Sequence, residues 1–347
     1  MKITIYQPQY ILELGQRSKQ EDCIYPLEGE ASISDYLFLV CDGMGGHEHG
    51  EIASRTVCEC MSRYLKDNSS ARDILQDETL LDALEYTYQK LDAKDSNCIR
   101  KMGTTLTLLY LHRGGCTVAY IGDSRVYHLR PSSHTLLYKS RDHSLVYDLY
   151  QAGEISFEEM RTSSLKNIIT KAVMPGEENR VKPDIVHLTN IQADDYFYLC
   201  SDGMLEQMDD NDLIRIFSSI CSDEKKCQQL LSLTANNKDN HSAYFIHIKS
   251  VENENIDLDR QLSNHESISD FNTLGIWDIK ETKENRTSFN IMESLEKYYV
   301  LKYKMVFVIV TLILAIISLF ACVLINNIIG EKKEDINKYK LEKDFLY

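Results

Sequence analysis

Five places in this 347-residue chain put carboxylates where divalent-cation chemistry could use them: Glu21-Asp22, Asp42-Gly43, Asp123, Asp202-Gly203 and Asp239. Any one of them means little alone, because Asp-Gly is a common turn pair. As a set they mean more. Four of the five abut apolar, strand-like runs, and strand ends can bring distant carboxylates to one rim of a sheet. Carboxylates gathered that closely repel unless cations lie between them. An all-oxygen donor set with no matching His/Cys pattern points to Mg2+ or Mn2+ rather than zinc. Two such ions can activate a bridging water and hold a phosphoryl oxygen. Gly45 and Gly46 follow Asp42 and would let backbone approach the ions.

The elements that must position these residues can be read from pattern. ASISDYLFLVCDG is an apolar run closed by Asp42-Gly43, and YFYLCSDG closes on Asp202-Gly203. TTLTLLYLH, Arg113-Gly114-Gly115 and CTVAYIGDSRVYHL read as a hairpin whose second arm carries Gly122-Asp123-Ser124-Arg125. Asp239-Asn240 precede the run SAYFIHI, and the N-terminal MKITIYQPQYILELG reads as a β-strand. GEIASRTVCECMSRYL has apolar residues at 53, 57, 60, 61, 64 and 65, which is helix spacing, and LLDALEYTYQKL reads as a second helix. Hairpins and antiparallel patterning dominate over βαβ repeats, so the fold class is α+β.

Residues 5 to 248 resemble, in order, the PPM-type metal-dependent protein serine/threonine phosphatases, the protein phosphatase 2C family, and its bacterial branch in particular. The motifs are Gly15-Gln16-Arg17-Ser18-Lys19-Gln20-Glu21-Asp22, then Asp42-Gly43-Met44-Gly45-Gly46-His47 with Gly50-Glu51-Ile52-Ala53-Ser54. Gly103-Thr104-Thr105, Gly122-Asp123-Ser124-Arg125, Asp142-His143-Ser144, Ser201-Asp202-Gly203 and Asp239-Asn240 follow. The resemblance implies a four-layer α/β/β/α sandwich of two antiparallel sheets. It implies that Asp42 bridges two Mn2+ or Mg2+ ions, that the Gly43 carbonyl binds one, and that Asp202 and Asp239 complete the other. Glu21 and Asp22 would hold ion-bound waters, Asp123 a third, weaker ion, and Arg17 the substrate phosphate. Direct in-line attack of a metal-bridging water on phosphoserine or phosphothreonine would follow, without a covalent phosphoenzyme. Met44 stands where animal members carry a histidine proposed as general acid, and bacterial members commonly carry Met there; His47 is a candidate proton donor, with ordering of its loop the favoured role. The stretch from His143 to Lys182 matches the family's variable flap. A catalytically quiet, phosphoprotein-binding or scaffolding relative is the alternative, disfavoured because no implied ligand has been lost.

Composition narrows partners and compartment. Lys+Arg total 38 against 53 Asp+Glu, a net charge of −15, which argues against a general nucleic-acid binder. The ten cysteines form no C-x-x-C pair, and several sit in apolar runs, as core residues of a reducing compartment do. The expected organisation is a phosphatase domain over 1–250, a polar acidic linker over 251–304, a transmembrane helix over 305–325 and a short charged tail over 326–347. MVFVIVTLILAIISLFACVLI is 21 residues without a charge. At about 1.5 Å per residue it matches a hydrocarbon core of roughly 30 Å. Lys297, Lys302 and Lys304 precede it and Lys332, Lys333, Lys338, Lys340 and Lys343 follow, a bias that would place the tail inside. Long domains respond weakly to flanking charge, and no export signal precedes the domain, so the phosphatase domain is expected in the cytoplasm.

Overall fold

The computed structural model of the protein describes residues 1–45, 49–69, 73–95 and 102–252. In chain order its first strands are β1 (Lys2–Ile5), β2 (Gln9–Glu13), β3 (Cys23–Tyr25), β4 (Leu37–Cys41) and β5 (Gly43–Met44). Helices α1 (His49–Asn68) and α2 (Asp77–Lys94) follow. Next come β6 (Gly103–Thr104), β7 (Leu106–His112), β8 (Gly115–Ile121), β9 (Arg125–Arg130) and β10 (Thr135–Lys139). Short helices α3 (Leu145–Gln151) and α4 (Phe157–Thr162) lead to β11 (Asp184–Leu188) and β12 (Tyr196–Cys200). The described chain closes with α5 (Asp210–Phe217), α6 (Asp223–Thr234) and β13 (His241–Glu252).

All the strands but β5 and β6, which pair with each other as a two-stranded ribbon, form two antiparallel sheets. One runs β1-β13-β12-β9-β10, with β2 also paired to β13, and the other runs β11-β8-β7-β4-β3. Alternation along single strands divides the core into three apolar seams. Phe38 and Val40 of β4, Leu109 and Leu111 of β7, Phe197 and Leu199 of β12, and Tyr244, Ile246 and Ile248 of β13 meet between the sheets. The opposite faces of β4 and β7, through Leu37, Leu39, Leu106 and Leu108, pack on Val57, Met61 and Leu65 of α1 and Leu84 and Leu91 of α2. Tyr196, Tyr198 and Phe245 pack on Leu213, Phe217 and Leu230 of α5 and α6. The result is the α/β/β/α order expected. It also explains why these strands read as unbroken apolar runs: both faces of each sheet are covered.

Several expectations acquire corrections. The hairpin forms between β7 and β8, but its presumed second arm breaks at Gly122. β9 crosses to the other sheet and pairs with β12 and β10. Gly122 makes the break with φ +106, and a Cβ there would meet the Thr105 side chain at 2.6 Å. The N-terminal stretch is two strands, β1 and β2, laid end to end along β13. On α1 the buried cysteine is Cys58, while Cys60 is half-buried. Cys41, Cys58, Cys116 and Cys200 are buried, and all the described cysteines are free thiols. Among the described residues no helix is long and apolar enough to cross a membrane. The expected span at 305–325, its tail, and all but the first two residues of the expected linker lie outside the described residues.

Phe38 is fully buried between the sheets, its ring 5.4 Å from that of Tyr244. Phe38→Ala is expected to lower unfolding free energy by about 3–5 kcal/mol in urea titrations. Exposed Ile220→Ala is expected to stay within about 0.5 kcal/mol of wild type. Equal effects would mean that the seam between the sheets is misplaced.

Candidate active site

Both sheets deliver carboxylates to one rim. Asp42 lies between β4 and β5, Asp22 directly before β3, Asp202 two residues after β12, and Asp239 two residues before β13. Asp123 sits in the crossing from β8 to β9, and Arg17 and Glu21 lie in the loop between β2 and β3. The charges of these groups reach one another. Asp42 feels Asp22, Asp202 and Asp123; Asp22 feels Asp202 and Asp239; Asp123 feels Asp202. Arg17 closes the edge through a 2.6 Å ion pair with Asp239 and also feels Glu21 and Asp42. The sequence-predicted set is therefore brought together. Gly43 joins it by close packing, because a Cβ there would come within 2.3 Å of the carbonyl oxygens of Glu21 and Gly50. Met44 pairs with Gly103 across β5 and β6, and His47 lies outside the described residues.

The rim is short of positive charge. Burial, followed by neighbouring carboxylates, holds Asp42 well above the usual carboxylate range. Burial pushes Asp123 up to about 8, with Asp202 and Asp142 adding to it. Burial likewise lifts Asp22 to about 7, even though Ser242 and Ser201 donate to it. Asp202 is raised by burial and by Asp239. The Asp42 and Asp202 side chains lie close enough for each to act on the other's proton. Among the described residues no three acidic, imidazole or thiol side chains make a finished metal cage, and Asp239 is held by Arg17. The donors nevertheless fit hard divalent cations. They are all oxygen, and Asp22 Oδ1 and Asp123 Oδ1 are buried with no hydrogen-bond partner.

Sequence reasoning placed Thr105, Ser201 and Asn240 in motifs but missed their role, shared with Ser242 and Glu206, of holding the rim in place. Ser201 and Ser242 donate to Asp22 Oδ2 at 2.9 and 2.6 Å. The Glu206 carboxylate accepts the backbone N–H groups of Lys238 and Asp239, both at 3.0 Å. The Asn240 side chain accepts from the Glu21 N–H and donates to the carbonyls of Leu14 and Lys19, pinning the Arg17 loop. Thr105 Oγ1 accepts the Asp42 N–H at 2.9 Å. The available signal was weak: a serine or threonine interrupting an otherwise apolar strand.

A helix-flanked antiparallel sandwich with this acidic rim has the architecture of the PPM phosphatases. A model of the family described as Protein phosphatase 2C matches residues 30–236, more than half of the chain. The chain belongs to the protein phosphatase 2C family and, with it, to the protein-serine/threonine phosphatases. The matched stretch contains Asp42, Gly43, Asp123 and Asp202, while Arg17, Glu21, Asp22 and Asp239 flank it. The serine/threonine phosphatase stp of Listeria monocytogenes serovar 1/2a is 32% identical over 53% of this chain and 72% of its own length. Protein phosphatase PhpP of Streptococcus pneumoniae serotype 2 is 29% identical over 60% of this chain and 83% of its own. The solved catalytic domain of the serine/threonine protein phosphatase PstP, in complex with two manganese ions, is 25% identical with a TM-score of 0.59. That likeness covers 72% of this chain and all of the solved domain.

An acid raised by burial favours folding below its unfolded value near 3.8 and opposes it as pH rises through its folded value. For Asp123 that window runs from about 4 to about 8. In chelator, Asp123→Asn should therefore melt higher than wild type, by a margin that grows from pH 5 to pH 8. A margin constant across that range would show that Asp123 carries no uncompensated charge.

Proposed function

We propose that the chain removes phosphate from phosphoserine and phosphothreonine of protein substrates in a reaction that depends on Mn2+ or Mg2+. The observation that carries this reading is the rim of buried and half-buried, mutually repelling carboxylates with one half-exposed arginine at its edge. Asp42, Asp202, Asp239 and the Gly43 carbonyl would hold two divalent cations, with Glu21 and Asp22 on their waters and Asp123 toward a third. When bound, these ions supply an activated water nucleophile and neutralise charge on the phosphoryl group, so that displacement is in line and needs no covalent phosphoenzyme. The manganese pair in the PstP catalytic domain supports that number. Arg17 has a planar fork suited to phosphate, and its present partner Asp239 belongs to the cation set, so the guanidinium is released for substrate as that carboxylate is engaged. Ser201 and Ser242 keep Asp22 aimed at the rim.

Hydrolysis of a phosphothreonine peptide tests the reading. Chelation should abolish turnover and Mn2+ or Mg2+ restore it, and Asp42→Ala or Asp202→Ala should lose nearly all turnover while keeping the wild-type circular dichroism spectrum. Turnover undiminished by thorough chelation would sink the proposal. Arg17→Ala should act mainly on KM, raising it on the order of tenfold to a hundredfold, as hydrogen bonds to charged groups worth about 1.5–3 kcal/mol require.

We further propose that residues 305–325 anchor this enzyme in a membrane with the phosphatase domain in the cytoplasm. The support is an apolar run free of charge and a substrate chemistry that is chiefly cytoplasmic. Residues 251–304 would then act as a tether of roughly 40 Å if random coil, favouring membrane-bound substrates through effective concentration. Protease added outside intact cells should clip at most the tail, and digestion of the phosphatase domain would refute this orientation.

A further inference from the structure

His143 belongs to the Asp142-His143-Ser144 motif and touches none of the rim carboxylates assigned above, yet it is 4% exposed and saturated with contacts. Its backbone and ring together clamp one residue, Gly122. The His143 N–H donates to the Gly122 carbonyl at 2.9 Å, and the Gly122 N–H donates to His143 Nδ1 at 3.1 Å. With Nδ1 accepting, Nε2 carries the ring proton and faces Asp184 Oδ1 at 3.4 Å, beside Lys171 Nζ, which lies 3.4 Å from the same oxygen. The ring stacks on Tyr120 at 5.4 Å, and the Tyr120 hydroxyl reaches Asp184 Oδ2 at 3.3 Å. Tyr120 and Asp184 face each other across β8 and β11, so the imidazole is seated on the sheet itself.

The other side of His143 belongs to the flap. Its carbonyl accepts the Thr170 N–H at 2.8 Å, Ser144 bridges to Ile169, and the Leu145 N–H reaches the Ile168 carbonyl at 2.9 Å. Gly122 precedes Asp123, whose Oδ1 has no hydrogen-bond partner. The place of that carboxylate therefore depends on the backbone turn that carries it. The same turn is fastened to Asp42 through Thr105, whose hydroxyl meets Ser124 Oγ at 2.7 Å and accepts the Asp42 N–H.

We propose that His143 is a positioning residue for the phosphatase reaction: its clamp on Gly122 fixes the Asp123 carboxylate and ties it to the flap from Ser144 to Lys171. This rests on the reading of Asp123 as a cation ligand. Flap conformation and cation binding at Asp123 are thereby joined through one imidazole.

Substitution can separate the two nitrogens. Asn places its amide oxygen where Nδ1 is and can accept from Gly122, whereas Gln reaches only the Nε2 position. His143→Asn should keep kcat within about threefold of wild type, and His143→Gln and His143→Leu should lose on the order of tenfold to a hundredfold, as loss of a group that orients a ligand does. Manganese binding followed by electron paramagnetic resonance should show the weakest ion lost or weakened in His143→Leu and restored in His143→Asn. In an Asp123→Ala background the His143→Leu loss should disappear, because both changes remove one function. Equal loss from His143→Leu with and without Asp123 would overturn the proposal, as would a His143→Gln enzyme better than His143→Asn. If His143→Leu does not fold, the Asn and Gln comparison decides alone. A wild-type protein without Mn2+-dependent turnover would instead sink the underlying phosphatase reading.

Discussion

The constraint on which the rest of the structure depends is repulsion among carboxylates at one rim of the sandwich. Asp22, Asp42, Asp123, Asp202 and Asp239 arrive from different strands and feel one another's charge, and Arg17 is the cation that reaches Asp239 at their edge. Such an arrangement opposes folding, so it has to be held by something stiffer than the side chains themselves. Two sheets supply that stiffness. Asp42 is an end of one sheet, Asp202 and Asp239 are ends of the other, and Asp123 rides the crossing between them. The closely packed seam from Phe38 to Tyr244 fixes the spacing of those ends, because interiors packed at crystal density do not stretch to relieve a surface strain.

Backbone proximity is the second requirement, and glycine meets it at two of the acid positions. Gly43 follows Asp42 with no room for a Cβ beside Glu21 and Gly50, and Gly203 follows Asp202 with Asn240 O at 2.0 Å from where a Cβ would stand. The two Asp-Gly pairs therefore do more than turn the chain. They let the segments that carry Asp42, Asp202, Glu21 and Asp239 touch through backbone.

Much of this was legible in the sequence, for identifiable reasons. The strands of β4, β7, β8, β12 and β13 could be read because covered sheets leave unbroken apolar runs, and α1 and α2 because one helical stripe faces a sheet. The acids could be read because Asp-Gly closes two apolar runs and the others flank further strand-like runs. What could not be read was anything set by three-dimensional pairing. Nothing local marks β9 as leaving the sheet of β8, since Gly122-Asp123-Ser124 looks like a tight turn within a hairpin arm. Ser201, Ser242, Glu206 and Asn240 support the rim from a distance in sequence, as in the separation of 179 positions from Asp22 to Ser201. Their role exists only once the sheets have closed.

The same strands show that unpartnered acid at the rim is not a shortage of donors. At the opposite end of β12, Asp195 is just as buried, yet Arg130 forks onto it at 2.8 Å, His128 meets it at 2.9 Å and the Gln192 N–H donates to it. Burial alone would raise that carboxyl, but these partners outweigh it and hold Asp195 below its usual range. Asp223 on α6 is held low in the same way, against burial, by His247 and Tyr196. The fold thus satisfies its acids fully where they serve only to join elements, and leaves them short of positive charge at one rim. Compensation at one end and its absence at the other, along strands only five residues long, separate what stabilises the sandwich from what the sandwich is built to hold.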